Sequence, residues 1–336
     1  MHSFRLSIPD LARFSHTTPM TTPSTTPPRP GLSTADLVAR ARQLGTVVPG
    51  FNIPYLPMMQ PVVAALRDTG SFGLIMVARL EWEKFESRSL EAIRDEYLRV
   101  GDRNYTRLHL DHVPVIDEDD RTVDFLEILG RAVQAGYDSI MVDGSRLSLA
   151  ENIRCTRQAA DLGRAAGVAV EGELGAVMGH EAGPLPPYEE LFASGRGFTD
   201  PNEAVKFVQE SGVQWLSVAI GNIHGAISAA QKDKAKTEAR LNIEHLAKIQ
   251  RATGVPLVLH GGTGIRKEYI QQAIRHGIAK INVATAIRQP YERALKQSVA
   301  AAQQAVYDAM LVVIHQDLEI AGTAKQLLAA ETAKGR

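Results

Sequence analysis

Three histidines stand where apolar, strand-forming runs end: His112 in HLDH, His224 in IGNIHG and His260 in LVLHGGTG. One histidine at a strand end carries little information. Three at the ends of separate strands, two of them followed directly by glycine, point to ligands converging on one metal at the rim of a barrel. Neutral imidazoles so far apart in sequence suit a catalytic zinc, which takes three protein ligands and keeps a fourth position open.

Carboxylates attend the same segments. Strand alternation places Asp111 on the face of His109, while His112 begins the loop. Such a carboxylate can act as a general acid/base beside the metal or can simply orient a histidine, and spacing leaves both open. VAVEGELG carries Glu171 and Glu173 on one face, where burial demands a cation or a partner. A metal position and a salt-bridged core network both satisfy that demand. Asp143, in IMVDGS, adds a carboxylate at the same rim. The glycines after His224 and His260 let backbone N–H groups approach an anion, with the Thr263 hydroxyl beside them. In AKINVAT, Asn282 and Thr285 can hold a hydroxyl and an anion respectively. His245, His276 and His315 lie in helical patterns and read as solvated or capping residues.

The elements that must position these groups alternate regularly. Strand patterns fall at 47–51, 73–77, 106–110, 139–142, 169–173, 215–219, 256–260 and 280–283. Helical patterns fall at 58–67, 125–135, 151–166, 204–210, 243–251 and 267–276, and Gly136, Gly167, Gly212, Gly254 and Gly277 follow them as helix-ending glycines do. Eight strands alternating with helices predict a TIM (β/α)8 barrel, an α/β fold whose chemistry gathers at the carboxyl ends of the strands. An open doubly wound sheet is the alternative, but no GxGxxG turn follows the first strand. The connection at 79–105 has room for its own helix. The Gly- and Pro-rich stretch at 177–200 reads as a functional lid. The tail after Pro290 reads as two extra C-terminal helices.

The 336 residues are 44% hydrophobic and 22% charged, with a formal net charge of -1. That balance gives no electrostatic case for nucleic acid or an anionic membrane surface. Cys155 is the only cysteine, so intramolecular disulfides are impossible, and the cytoplasm is the default compartment. No apolar run approaches the ~18 residues of a membrane helix. Residues 1–31 are expected to be a disordered leader, Thr/Pro-rich from 17 onward, and 32–336 a single catalytic barrel. Few acids in that leader leave an organellar address open, and Met20 offers an alternative start.

With these segments assembled, the chain resembles the class II, metal-dependent fructose-bisphosphate and tagatose-bisphosphate aldolases. The likeness runs from about Gly50 to Arg288 on GFNIP, HLDH, VDGS with Glu151-Asn152 downstream, EGELG, AIGNIHG, LVLHGGTG and KINVAT. It implies a TIM barrel, a homodimer or homotetramer, one Zn2+ per subunit with a place for an additional monovalent cation, and a sugar or sugar-phosphate substrate. It implies His112, His224 and His260 as zinc ligands, with Glu173 and Asp143 at alternative metal positions. Asp111 corresponds to the acid/base acting at the aldehyde oxygen, and Glu181 to a mobile-loop carboxylate that moves the carbon-bound proton. Gly225, Gly261, Thr263 and Thr285 correspond to the C1-phosphate site, Asn282 to a contact of the enediolate, and Asn52 of GFNIP to a further substrate contact.

The departures concern the substrate. Ser228 stands where much of the family has a phosphate-binding lysine, and IMVARLEWEKF offers no counterpart to the serine linked to the distal phosphate. The family's C-terminal arginine is not identifiable, and Ala284 replaces an aspartate of many fructose-type members. The expectation is a zinc-dependent aldolase cleaving a ketose phosphate or bisphosphate reversibly through a metal-stabilised enediolate. An epimerase using the same retro-aldol chemistry, and a non-catalytic sugar-phosphate binder, are the alternatives.

Overall fold

Eight parallel strands close on themselves in sequence order, β8 pairing back onto β1. They are β1 Val48–Asn52, β2 Gly73–Ala78, β3 Thr106–Pro114, β4 Ser139–Asp143, β5 Ala169–Leu174, β6 Trp215–Val218, β7 Leu257–Leu259 and β8 Ile278–Val283. The computed structural model describes residues 31–175, 188–222, 239–262 and 264–329. Apart from Gly31, the expected leader lies outside them.

The barrel follows from strands that bury both faces, as parallel strands must when helices cover the outside. Their outward side chains, such as Ile75, Leu108 and Ile140, pack with helical residues such as Leu66, Leu129 and Ile153 in the larger core. A second core fills the bottom of the barrel with Val48, Leu74, Ala169, Trp215 and Ala279, all at or near the starts of their strands. It continues into Leu37, Val38 and Ala41 of the helix Thr34–Leu44, and Ala324 and Leu327 of the helix Thr323–Leu328, so these two helices close the amino-terminal end. Chemistry is thereby confined to the opposite rim.

Local sequence explains where the helices start and stop. Ser33, Ser89, Asp124, Ser148, Asp200 and Asn242 cap amino termini with their side-chain oxygens, and Gly136, Gly167, Gly212 and Gly254 take the left-handed conformation that ends helices. The 79–105 connection holds two helices, Arg79–Lys84 and Leu90–Val100.

The two extra helices expected after Pro290 are Val299–Val312 and Thr323–Leu328, and Pro290 itself lies inside the helix Thr285–Leu295. Proline removes one N–H and crowds the preceding turn, a cost that packing of Ile287, Arg288 and Tyr291 offsets here. One expectation is corrected: His112 does not begin a loop. β3 continues through it to Pro114, with a bulge between Leu110 and Val113 where three steps along β3 match two along β4.

Candidate active site

That bulge shapes the site. In a regular strand Asp111 and His112 would face opposite sides of the sheet. Here His112 adopts φ +31, a rare conformation for a residue with a Cβ, and both side chains contribute to one cluster. Ligand atoms of Asp111, His112 and His260 lie within 4.8 Å of one another, and so do those of His112, Asp143 and Glu173. The His112 and His260 rings meet edge to face with centroids 4.5 Å apart.

Each imidazole is oriented by a carboxylate. His260 Nε2 lies 2.8 Å from Glu171 Oε1, turning Nδ1 toward Glu173 Oε2 at 3.4 Å. His112 Nδ1 lies 3.4 Å from Asp143 Oδ2. A carboxylate behind each ring is the usual support of a metal-binding histidine, fixing tautomer and direction. Two such imidazoles with carboxylates beside them fit a zinc ion by donor chemistry.

Glu171 and Glu173 face different partners. Glu171 joins a buried network through Lys280 Nζ at 2.9 Å, while Glu173 takes a hydrogen bond from Ser217 Oγ at 3.2 Å and belongs to the histidine cluster. The VDGS and Glu151-Asn152 segments serve this strand. Asn152 donates to the Glu173 carbonyl at 2.9 Å, and a Cβ on Gly144 would stand 2.3 Å from the Asn152 Oδ1.

Asp111 is almost fully buried and held from two sides. Asn282 Nδ2 donates to Oδ1 at 2.9 Å, and Asn52 Nδ2 donates to Oδ2 at 3.1 Å. Burial alone would raise its pKa, but His112, Lys280, His260 and His109 hold it well below the usual carboxylate range. Burial opposes the charge of His112 too, yet Asp111, Asp143 and Glu173 raise it to about 10. Glu173 is pushed up to about 8, first by burial and then by Asp143. Glu171 falls to about 2 because Lys280 and His260 outweigh its burial.

Of the other expected residues, Gly261 follows His260 with φ +68, and Thr285 opens the helix after β8. Glu181, His224, Gly225 and Thr263 lie outside the described residues. Lys280 and Glu81 escape the sequence reading, and His109 receives no role in it. Lys280 is fully buried and binds Asn282 Oδ1 at 2.6 Å as well as Glu171. A charged residue amid a strand that must be buried on both faces was the available signal. His109 stands over Trp215 and donates to or accepts from Ser139 Oγ at 2.8 Å. Glu81, in the helix after β2, takes the Ala78 N–H at 2.8 Å and lies 3.4 Å from Asn52 Nδ2. Nothing in LEWEK sets it apart from Glu83.

Comparison with known proteins places this arrangement. The family described as fructose-bisphosphate aldolase class-II matches residues 32–336. A protein assigned as a fructose-1,6-biphosphate aldolase from Coccidioides immitis has a TM-score of 0.69 at 26% identity, over 88% of this chain and 98% of that one. The YdjI aldolase from Escherichia coli K12 has a TM-score of 0.68 at 26% identity, over 88% and 99%. A fructose-bisphosphate aldolase from Campylobacter jejuni, 16% identical with a TM-score of 0.66 over 87% and 96%, shares the fold. The chain is thus a lyase and belongs to the class II fructose-bisphosphate aldolase family.

Proposed function

We propose that this chain is a zinc-dependent aldolase that reversibly cleaves a phosphorylated ketose, with Asp111 as its acid/base. The observation that carries the reading is the placement of Asp111 against His112 and His260 while Asn52 and Asn282 hold its two oxygens. His112 and His260, with His224 from the undescribed segment and Glu173 or Asp143 at alternative positions, would hold the metal. Zinc there would polarise the ketose carbonyl and stabilise negative charge developing beside it.

In the cleavage direction Asp111, ionised at neutral pH, accepts the proton of the hydroxyl on the carbon that leaves as aldehyde. In the addition direction it returns that proton to the aldehyde oxygen. Asn282 has its amide oxygen engaged by Lys280, so only N–H groups face the reaction, one on Asp111 and one for a substrate oxygen. Gly261 and the start of the helix Thr285–Leu295, together with Gly225 and Thr263, are the proposed phosphate site. Glu181 is the proposed carrier of the carbon-bound proton. The reading includes a cytoplasmic homo-oligomer; no helix among the described residues is long and apolar enough to cross a membrane.

The test combines metal analysis with a product-resolved assay on ketose monophosphates and bisphosphates. Stoichiometric zinc and triose release, both lost on chelation and regained with zinc, are the expected result. Zinc with only an epimeric ketose would replace the reading with an epimerase, and no turnover with zinc supplied would end it.

A further inference from the structure

A cavity of about 310 Å³ lies apart from the histidine cluster, where the helices Arg79–Lys84, Leu90–Val100 and Phe125–Ala135 meet. The helix Arg79–Lys84 stands between the two. Arg79, Trp82 and Glu83, at the i, i+3, i+4 spacing of one helix face, line the cavity, whereas Glu81 bonds the Ala78 N–H and Asn52. Asp111, His112, Asp143, Glu173 and His260 take no part in the cavity wall.

That wall combines one indole with groups that donate and groups that accept. Trp82 packs against the larger core while remaining half-buried, and among the described residues its Nε1 N–H has no acceptor. Thr122 adds an exposed hydroxyl. Asp124 Oδ1 takes the Glu127 N–H at 3.1 Å, and Glu127 Oε1 takes Arg131 at 3.4 Å. Each carboxylate keeps its second oxygen for a ligand. The two arginines of the wall are committed. Arg79 lies between Asp117 and Glu83 at 3.5 and 3.7 Å, and Arg131 binds Glu91 at 2.7 Å. Three carboxylates, Glu83, Asp124 and Glu127, thus stand around two paired cations, which disfavours an anion. A hydroxyl both donates and accepts, so a polyhydroxylated ring can use the free carboxylate oxygens, the indole N–H and Thr122 together, with its C–H face on the indole. Ligand pockets run from about 300 to 1,000 Å³, and a cavity at the lower end suits one sugar ring.

We propose that this cavity binds a neutral monosaccharide at a site distinct from the catalytic cluster. The indole of Trp82 carries the ring, and Asp124 and Glu127 accept hydrogen bonds from its hydroxyls. Binding here needs neither zinc nor the catalytic residues, so the site stands or falls independently of the aldolase reading.

The test titrates the full-length protein with D-glucose, glucose 6-phosphate and D-glucosamine, following tryptophan fluorescence and saturation transfer to the sugar protons. Trp82 and Trp215 are the only tryptophans, and Trp215 is fully buried in the core at the bottom of the barrel, so a fluorescence change reports on the cavity. D-glucose should bind saturably, with half-saturation at about 1–30 mM, as befits a ligand of so few atoms. The anionic and cationic analogues should both bind more weakly. At least one of Asp124→Ser, which keeps the helix cap, and Glu127→Ala, which leaves that cap untouched, should raise the half-saturation for D-glucose by about fivefold or more. Circular dichroism checks that both variants fold. No saturable binding below about 100 mM, a charged analogue bound as tightly as D-glucose or more so, or a half-saturation unchanged in both folded variants overturns the site.

Discussion

Lys280 Nζ donates to Asn282 Oδ1 at 2.6 Å, and this contact decides which way the Asn282 amide faces. With its oxygen turned to the lysine, the amide nitrogen donates to Asp111 at 2.9 Å. The same ammonium lies 2.9 Å from Glu171, which in turn orients His260. One buried cation beneath the rim thus aligns both the proposed acid/base and a proposed metal ligand.

Lys280→Met should therefore act at a distance from the substrate. Removing one partner of a buried pair leaves Glu171 charged and desolvated, at a cost of about 3–5 kcal/mol. Adding Glu171→Gln should recover part of that loss, because the uncompensated charge is gone. Urea unfolding of both single variants and the double variant gives the coupling directly. Strict additivity would show that the two side chains do not act as a pair.

Asp111→Asn keeps the shape of the side chain and removes its capacity to take a proton. Zinc content should remain stoichiometric while cleavage falls by about 10²–10⁴, the range usual for loss of a general acid/base. Elemental analysis alongside initial rates separates the roles. Loss of metal together with activity would make Asp111 a ligand instead, which its place in the cluster with His112 and His260 would accommodate.

Strand positions and helix ends were readable because both follow from local rules: two-face burial writes apolar runs, and glycine marks the left-handed turn after a helix. The histidines His112 and His260 were readable because polar residues at strand ends stand out. The bulge that turns Asp111 and His112 to one site was not. It depends on how β3 registers against β4, a long-range pairing that HLDH alone does not encode. Glu81 was hidden for a similar reason: only folding brings the helix after β2 beside Asn52.

Gly144→Ala tests how β5 is held. The added methyl would meet Asn152 at 2.3 Å from Oδ1 and 2.7 Å from Cγ, and that side chain has little freedom, since it bonds the Glu173 carbonyl and Thr156 Oγ1. Overpacking of this kind costs about 1–3 kcal/mol. Displacing Asn152 should also shift the end of β5, so zinc affinity should fall together with the melting temperature. Lower stability with unchanged zinc affinity would show that Asn152 packs without positioning Glu173.

Glu81 gives a pH signature of its own. Burial first, and the nearby Asp111 charge second, push its carboxyl up to about 8, against the opposing hydrogen bonds of Ala78 and Asn52 and the charge of Arg288. An unfolded glutamate titrates near ~4.3, so between that pH and about 8 the folded protein holds a proton that the unfolded chain releases. The stability from this proton is fully present below the unfolded value and is lost as pH rises through about 8. Glu81→Gln stays neutral and loses none of it. Melting temperatures of both proteins at pH 6 and pH 9 should show the variant gaining on wild type by on the order of 2–5 °C at the higher pH. An equal gap at the two values would mean that Glu81 is already ionised at pH 6 and carries its negative charge into the site throughout the working range.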